Sequence, residues 1–247
     1  MKYAFISDIH GNTPALAAVL MDIERRKVRA VWNLGDTLFG PLDPHGTFNR
    51  LNGKDIVHIR GNGDRELSAP DDGASTTMNN LRRNLSDEER VWLKKLPAII
   101  ETDEILAFHG SPDSDERYFL ESVSESGVYI KSAGEIEEAL KNRKASLVVC
   151  GHSHLPRIIQ IPGGPLVINA GSVGLPAYHD DLPADHSMES GSPHAKYVLA
   201  EKRNRQWAAE IIHLPYDWAK SAEMAMSAGR RDWAAWLATG IAPVKPI

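Results

Sequence analysis

Short runs of apolar residues recur along this chain, and each run ends in a cluster of Gly, Asp, Asn or His. Strands that are buried on both faces of a sheet have this continuous apolar pattern. Five of the runs lie at positions 3–6, 30–34, 56–59, 105–108 and 147–150. We therefore predict that these five segments are buried strands of an α/β protein.

A helical pattern separates the first two predicted strands. The apolar residues there recur three and four positions apart, at Leu16, Val19, Leu20 and Ile23. Thr13 followed by Pro14 supplies a predicted N-cap and a first-turn proline, and both favour the start of a helix. The chain therefore opens with a predicted β-α-β unit.

Two further helices are predicted before residue 150. Ser86 and Glu89 have the spacing of a capping box, and Pro97 would end the helix that this box begins. A shorter apolar pattern at 136–140 indicates the other helix. Helices thus alternate with strands through this part of the chain.

The pattern changes after residue 156 to paired runs that are typical of β-hairpins. Runs at 157–161 and 166–169 flank a Pro-Gly-Gly turn, and runs at 197–202 and 207–213 form a second pair. We predict that these strands build a second sheet. Two mixed sheets packed face to face, with helices outside, would give a four-layer α/β/β/α sandwich.

We predict a single domain over residues 1–247 with an insertion at about 174–195. This insertion contains seven Asp, Glu or His residues among Pro, Gly and Ser. That composition predicts a long exposed loop. Two interpretations of the loop stay open, a solvated insertion and a segment that faces a substrate.

A C-terminal helical segment is predicted at about 216–238, with an interruption at Gly229. Trp218, Trp233 and Trp236 lie in this segment. We expect these rings to pack in the core or at a dimer interface rather than to take part in chemistry. A homodimer therefore stays open.

Composition narrows the choice of partners. The net charge is −5 and the pI is about 6.1, which argues against a stable complex with nucleic acid, because such binding needs a basic surface. Small phosphorylated substrates remain open. The sequence has neither the pattern of a signal peptide nor an apolar stretch of the roughly 20 residues that a membrane span requires. We expect no membrane contact and a cytoplasmic location.

Cysteine usage limits the chemistry further. Cys150 is the one cysteine among 247 residues, so the chain can form neither an internal disulfide nor a Cys-rich metal site. The 42% of hydrophobic residues is a typical globular value, and a core can form without such crosslinks.

Potential metal ligands follow five of the predicted strands. Residues two apart in an extended strand face the same way, so the two pairs Asp8/His10 and His152/His154 can each converge on one point. A D-x-H or H-x-H pattern alone is as typical of a hydrogen-bonded loop as of a metal site. The position of these residues is more informative, because open α/β sheets place their sites at the carboxyl ends of strands. The residues at such positions are Asp8, His10, Asp36, Asn62, His109, His152 and His154.

The donor types indicate which ions would bind. Imidazole, carboxylate and amide donors without thiolate suit Mn, Fe, Zn, Co or Ni better than structural zinc or calcium. Seven ligand-type side chains are more than one ion needs. The sequence therefore predicts two divalent metal ions.

The ordered motifs D-x-H, G-D, G-N, H and G-H-x-H resemble those of the calcineurin-like metallophosphoesterase superfamily. Residues 39–44 and 169–174 are similar to the small bacterial and archaeal phosphodiesterase branch. The resemblance implies two ions, with Mn or Fe favoured, and implies that Asp8, His10 and His154 hold one of them. It implies that Asn62, His109 and His152 hold the other and that Asp36 bridges both.

The resemblance also implies an activity. The expected enzyme hydrolyses a phosphodiester or phosphoanhydride of a small nucleotide-like substrate, with a hydroxide that bridges the two ions. Metal binding can lower the pKa of water from 15.7 to about 7. Asp36, Asn62, His109 and Arg60 are then the expected catalytic residues. Arg60 matches an arginine that contacts phosphate in protein phosphatase members, although a solvent-facing strand end is also consistent with its position.

One departure from the family pattern concerns the leaving group. Many members have His after the Gly-Asn pair, where this chain has Gly63. The usual proton donor to the leaving oxygen is therefore missing. We predict a preference for leaving groups that need little protonation, unless Asp64 or a loop histidine substitutes.

Three other functions are alternatives to this one. A phosphomonoesterase or protein phosphatase of the same superfamily is an alternative, although Gly63 weakens it. A nuclease would need a basic surface, which the net charge disfavours. A non-catalytic protein-binding scaffold would lose ligands, whereas this sequence retains every expected one.

Two conspicuous polar residues have simpler interpretations. His58 lies in a predicted strand and is expected to pack in the core. Asn12 could contact the metal site or stabilise its own turn, and both interpretations stay open.

Overall fold

The computed structural model describes residues 1–70 and 76–243. The strands are β1 (Lys2–Ile6), β2 (Ala30–Asn33), β3 (Ile56–His58), β4 (Ile99–Glu101), β5 (Ile105–Phe108), β6 (Glu121–Ser124), β7 (Gly127–Ile130), β8 (Leu147–Cys150), β9 (Arg157–Gln160), β10 (Leu166–Asn169), β11 (Ala177–Asp180), β12 (His186–Glu189), β13 (Ala195–Arg203) and β14 (Gln206–Leu214). The helices are α1 (Thr13–Arg25), α2 (Pro44–Leu51), α3 (Asn62–Ser68), α4 (Thr76–Asn84), α5 (Asp87–Lys95), α6 (Ala133–Leu140), α7 (Trp218–Ser227) and α8 (Arg231–Thr239). All five strands predicted from the apolar runs are present, although β3 is only half-buried.

Two five-stranded sheets form the centre of the molecule. The first has the order β14-β13-β1-β2-β3, with β1, β2 and β3 parallel. The second has the order β4-β5-β8-β10-β9, with β5, β8 and β10 parallel. Each sheet also contains antiparallel pairs, so both are mixed.

The sheets pack face to face with helices on their outer sides. Side chains from both sheets share one buried cluster, in which Phe5 of the first sheet meets Val149 of the second. On the outer face of the first sheet, Ile6 packs with Leu16 of α1. On the outer face of the second, Val148 packs with residues of α6. The predicted α/β/β/α sandwich is confirmed.

The prediction that all late hairpins build the second sheet is wrong. β9 and β10 do belong to the second sheet, but β13 and β14 extend the first, because β13 pairs with β1. A hairpin pattern indicates that two strands pair with each other. It carries no information about which sheet edge the pair joins.

The segment at 174–195 is not the long exposed loop that its composition predicts. β11 and β12 pair within it as an antiparallel hairpin, and Ala177 and Met188 are fully buried. The capping residue of α1 also differs from the prediction. Asn12, not Thr13, is the N-cap, and its Oδ1 accepts a hydrogen bond from the amide of Ala15 at 3.1 Å.

The C-terminal segment consists of two helices, as predicted. α7 and α8 are separated at Gly229, whose φ of 78° suits glycine. Trp233 of α8 is buried in a cluster with Leu175. Among the described residues, no helix is long and apolar enough to cross a membrane.

Candidate metal centre

Five of the seven predicted ligands have a left-handed backbone conformation. The φ angles are 53° at Asp8, 51° at His10, 50° at Asp36, 69° at His152 and 59° at His154. Residues other than glycine adopt positive φ rarely, and such residues concentrate at functional sites. The turns that follow β1, β2 and β8 are therefore strained in the places where the predicted ligands lie.

Five ligand-type side chains converge at this end of the two sheets. Nε2 of His154 lies 3.2 Å from Oδ1 of Asp8 and 3.1 Å from Nε2 of His10. Nε2 of His10 is 3.8 Å from carboxylate oxygens of both Asp8 and Asp36. Nε2 of His109 is 3.8 Å from Asp8 and 3.6 Å from Asp36. Two groups with metal-binding geometry result, and Asp8 belongs to both: Asp8/His10/His154 and Asp8/Asp36/His109.

Backbone carbonyls orient three of the imidazoles. Each Nδ1 donates a hydrogen bond to a carbonyl oxygen, which can only accept. The bonds run from His10 to Phe39 (2.8 Å), from His109 to Leu34 (2.8 Å) and from His154 to Leu175 (2.6 Å). The neutral ring then has its lone pair on Nε2, the atom that faces the cluster. Metal-binding histidines commonly have such a partner on the other nitrogen.

Glycines allow the close packing around the Asp36 carboxylate. A Cβ atom at Gly61 would lie 2.1 Å from Oδ1 of Asp36, and one at Gly35 would lie 2.5 Å from the amide nitrogen of Gly61. Gly35 also has a φ of 105°, which L side chains rarely adopt. The Gly residues beside the predicted ligands are therefore sterically required.

Several buried atoms of the cluster lack a hydrogen-bond partner in the described part of the protein. They are Oδ1 of Asp8, Oδ1 of Asn62 and Nε2 of His109. In the neutral rings, the Nε2 lone pairs of His10 and His154 also face each other. Buried polar atoms without a partner destabilise the folded protein. Metal cations bind lone pairs of this kind and would remove the cost of burying them. The donor set therefore fits divalent metal ions.

The protonation states of Asp8 and His152 also favour cation binding. Burial alone would raise the pKa of Asp8, but the nearby His154 and His109 outweigh it and hold that pKa well below its usual range. Burial and His109 lower the pKa of His152 to about 4. Burial opposes the charged form of His109 as well, yet the Asp36 and Asp8 carboxylates raise its pKa. At neutral pH the cluster thus contains ionised Asp8 and neutral His152, the forms that bind metals.

Asn62 and His152 lie beside the five converging residues. The ring centroid of His152 is 5.1 Å from that of His109, and its Nε2 bonds to the carbonyl of Glu116 at 2.8 Å. In the neutral ring this bond leaves the lone pair on Nδ1. Asn62 begins α3 and lines the same cavity as His152. All seven predicted ligands are therefore near one another, and their roles stay predictions.

Arg60 lies on another side of the cluster. It lines a cavity of about 450 Å³. His109 also lines this cavity, but none of the other predicted ligands does. Its Nε is buried without a hydrogen-bond partner in the described residues. The predicted contact of Arg60 with phosphate stays a prediction.

Backbone amides hold the carboxylate of Asp64. Oδ1 accepts hydrogen bonds from the amides of Thr37 (2.9 Å) and Leu38 (3.2 Å), and Oδ2 accepts one from Gly61 (3.2 Å). Burial and the Asp36 carboxylate raise the pKa of Asp64 to about 7. The residue is fully buried, so it supports the loop around Asp36 and is not available to protonate a leaving group.

The hairpin β11–β12 supports two of the histidines. Tyr118 stacks on His152 with centroids 4.9 Å apart, and its hydroxyl donates to Nε2 of His186 at 2.9 Å. Tyr178 donates to the Tyr118 hydroxyl at 2.8 Å and contacts His154 with centroids 4.6 Å apart. Sequence reasoning missed both tyrosines, because no spacing connects them to the ligand motifs.

The two conspicuous polar residues have structural roles. Burial lowers the pKa of His58 to about 4, and its ring packs against Trp92. His58 is thus a packed histidine, as expected. Asn12 caps α1 and donates to the carbonyl of Gly174 at 2.8 Å, which agrees with the turn interpretation.

Two cavities open at the cluster and share Asn62, His152 and Asp180. The smaller has a volume of about 240 Å³. Its wall includes Phe39, Tyr178, Arg230, Trp233 and Trp236. The larger has a volume of about 810 Å³ and a wall of mixed charge, which includes Arg117, Glu121 and Lys131. The ligand cluster therefore has space on two sides.

A sandwich of two mixed sheets with imidazoles and carboxylates gathered at the strand ends agrees with the architecture of a metallophosphoesterase. The chain belongs to the calcineurin-like phosphoesterase superfamily, whose domain model matches residues 1–185. Members of this class hydrolyse phosphoric ester bonds with divalent metals, which agrees with the predicted enzyme class.

Relatives and similar structures cover nearly the whole chain. An uncharacterised protein from Methanocaldococcus jannaschii is 24% identical over an alignment of 257 positions, which covers 93% of this chain and 94% of that one. A metallophosphoesterase from Sphaerobacter thermophilus has a TM-score of 0.76 at 22% identity and covers 98% of this chain and 100% of its own. A hypothetical protein from Pyrococcus horikoshii OT3 has a TM-score of 0.75 at 18% identity, with coverages of 98% and 99%. The two structures share the fold.

Proposed function

We propose that this protein uses two divalent metal ions to hydrolyse a phosphodiester or phosphoanhydride of a small nucleotide-like substrate. The observation that carries the proposal is the convergence of five buried imidazole and carboxylate groups, several with unpaired atoms, at the ends of strands in both sheets. Burying these groups together is unfavourable without cations. A functional requirement explains why the chain gathers them.

Each residue of the cluster has a proposed role. One ion is assigned to Asp8, His10 and His154, and the other to Asn62, His109 and His152. Asp36 is assigned to both, which is supported by the positions of its two oxygens near Nε2 of His10 (3.8 Å) and Nε2 of His109 (3.6 Å). When bound, the ions would lower the pKa of water to about 7 and attract phosphoryl oxygens. Mn or Fe is favoured among the divalent metals that suit these donors.

The cavities support a substrate with substituents on both sides of the phosphate. The aromatic wall of the smaller cavity, with Tyr178 and Trp236, suits a planar ring such as a nucleobase. The larger cavity has room for a second group. A phosphomonoester would use one of these spaces, so the diester or anhydride is the better match. A phosphomonoesterase or protein phosphatase is the second candidate.

A substrate screen tests the proposal. The purified protein, loaded with Mn, would be assayed with bis(p-nitrophenyl) phosphate, cyclic nucleotides, dinucleoside polyphosphates, phosphomonoesters and a phosphopeptide. We expect turnover of diesters or anhydrides that a chelator abolishes and added Mn restores. Exclusive turnover of the monoesters or the phosphopeptide would support the second candidate. A folded, Mn-loaded protein without turnover on any substrate would support a binding scaffold.

A further inference from the structure

The C-terminal helices contribute a cation to the smaller cavity. Arg230 is the N-cap residue of α8. Among the described residues that line this cavity, Arg230 is the one Lys or Arg, and it shares the wall with His10, Asp36 and His154. Arg230 lies outside the residues that match the superfamily domain. No motif of the ligand pattern predicts this residue.

A rigid aromatic platform positions the Arg230 side chain. The guanidinium carbon lies 5.4 Å from the centroid of the Trp233 ring. Trp233 in turn contacts the ring of His10, with centroids 5.6 Å apart, and that of Phe39, with centroids 6.4 Å apart. A Cβ atom at Gly40 would lie only 3.1 Å from the Trp233 ring, so the indole is tightly enclosed. Cation–π contact with a buried indole restricts where the guanidinium can go.

The present partner of Arg230 is a partly exposed carboxylate, which accepts hydrogen bonds from Nε at 2.9 Å and from Nη2 at 2.6 Å. Arg230 forms an ion pair with Asp232 at 2.6 Å, two residues along the chain. The Asp232 side chain is 42% exposed and the Arg230 side chain 28% exposed. Solvent screens charges that are exposed to this extent, which weakens the attraction between them. A phosphate, which the planar guanidinium can bind with two parallel hydrogen bonds, would compete well with this carboxylate.

We propose that Arg230 binds phosphoryl oxygens of the substrate and that the α7–α8 pair therefore contributes to the substrate site. The proposal rests on the proposed function of the metal centre. Arg230 shares a cavity with five predicted ligands, whereas Arg60 shares one with His109 alone. The bound group is either the reacting phosphate or a second phosphate next to it.

Substitution of Arg230 by Met tests the proposal, because Met keeps most of the aliphatic stem and removes the charge. Steady-state kinetics would be measured for the Mn-loaded full chain with bis(p-nitrophenyl) phosphate, which has one phosphate, and with diadenosine tetraphosphate, which has four. We expect KM to rise about 10- to 100-fold, the size of a lost charge-assisted hydrogen bond, and kcat to change less. Arg230→Lys should recover part of the loss. The inhibition constant of inorganic phosphate for the wild type and the variants gives a readout that does not depend on turnover.

A neighbouring arginine supplies the matched control. Arg231 is exposed and does not line the cavity, so Arg231→Met should leave KM and phosphate inhibition near the wild-type values. Metal content and circular dichroism should be the same for all variants.

The outcomes distinguish the two sources of phosphate. A higher KM for both substrates would indicate the reacting phosphate, and a higher KM for diadenosine tetraphosphate alone would indicate the second one. An active Arg230→Met enzyme with wild-type KM for both substrates and unchanged phosphate inhibition would overturn the proposal. A wild-type enzyme that binds Mn and hydrolyses neither substrate would instead contradict the proposed function.

Discussion

At the scale of the residue, the site depends on how its side chains are held. Nδ1 of His10, His109 and His154 each bonds to a backbone carbonyl, so the three Nε2 atoms point into the cluster. A ring in the other tautomer would present a hydrogen to the ion in place of a lone pair. The backbone carbonyls therefore orient the lone pairs that would bind a metal ion.

Replacing Asp36 by Ala is expected to remove most metal and nearly all turnover. Its oxygens lie near Nε2 of both His10 and His109, so the substitution would delete the proposed shared anchor. Metal ions supply several kcal/mol to such reactions, and each 1.4 kcal/mol is tenfold in rate, so we expect a loss of at least about 100-fold. Metal analysis and kinetics check this expectation. The exposed Asp181 supplies the control, because Asp181→Ala should behave like the wild type, and an Asp36→Ala protein with full activity would refute the shared role.

The rate should depend strongly on the leaving group. Gly63 has no imidazole, and three backbone amides hold the carboxylate of Asp64. General acid catalysis is typically worth about 10²- to 10⁴-fold, so poor leaving groups should react slowly. A series of aryl phosphodiesters with different leaving-group pKa values measures this dependence. A flat dependence would contradict the prediction and direct attention to His179, the β11 histidine that lines the smaller cavity, through the variant His179→Gln.

The residues that converge at the candidate site could be predicted at this scale, but their surroundings could not. Ligand spacing such as Asp8/His10 and the neighbouring glycines is local in sequence, so it is visible without coordinates. The partners are remote, as Leu34 is 75 residues from His109 and Gly174 is 162 residues from Asn12. Arg230 was missed for the same reason.

At the scale of the element, contacts between sheets and helices position the strand ends. β13 lies next to β1 and is covered by α1, and a buried hydrogen bond joins β13 to α1. The Tyr197 hydroxyl donates to Oδ2 of Asp22 at 2.6 Å, and Arg26 also bonds to this oxygen at 2.7 Å. Asp8, a predicted ligand, follows β1. Because β13 pairs with β1, the bond between β13 and α1 supports the strand that leads to Asp8.

Tyr197→Phe should destabilise the protein by about 1.5–3 kcal/mol at pH 7, because it removes a hydrogen bond to a charged group. Burial opposes ionisation of Asp22, but the bonds from Tyr197 and Arg26 lower its pKa below 3.8. A lowered carboxyl pKa stabilises the fold above pH of about 4 and loses this effect as the pH falls through the folded pKa. The difference between variant and wild type should therefore shrink below pH of about 4.

Urea unfolding between pH 7 and pH 3 measures this difference. Tyr129 is half exposed and donates to the carbonyl of Ser126, so Tyr129→Phe is a control that should cost less than about 0.5 kcal/mol. An equal loss for Tyr197→Phe at both ends of the pH range would show that the Asp22 carboxylate is not its source.

Elements were easier to predict than their arrangement. The apolar runs gave β1, β2, β3, β5 and β8 within a residue or two, because a strand buried on both faces has few polar positions. The hairpins gave no sheet assignment, since the pairing of β13 with β1 joins residues about 200 positions apart. The polar composition of residues 174–195 wrongly predicted an exposed loop. The hairpin there uses Tyr178 and His186 for hydrogen bonds around the site.

At the scale of the whole molecule, the two sheets meet where the ligands lie. Asp8, His10 and Asp36 follow strands of the first sheet, whereas His109 and His154 follow strands of the second. The cluster therefore forms only when the two sheets are packed together. α8 adds Trp233 and Arg230 from a third direction. This dependence explains why the residues of the site are spread over most of the chain.

The binding of two metal ions is the central claim, and metal stoichiometry tests it most directly. The protein would be stripped with a chelator, dialysed against Mn and analysed by mass spectrometry of the metal content, with circular dichroism to check the fold. We expect about two ions per chain. A folded sample that takes up no divalent ion from Mn, Fe, Zn, Co or Ni would contradict the account.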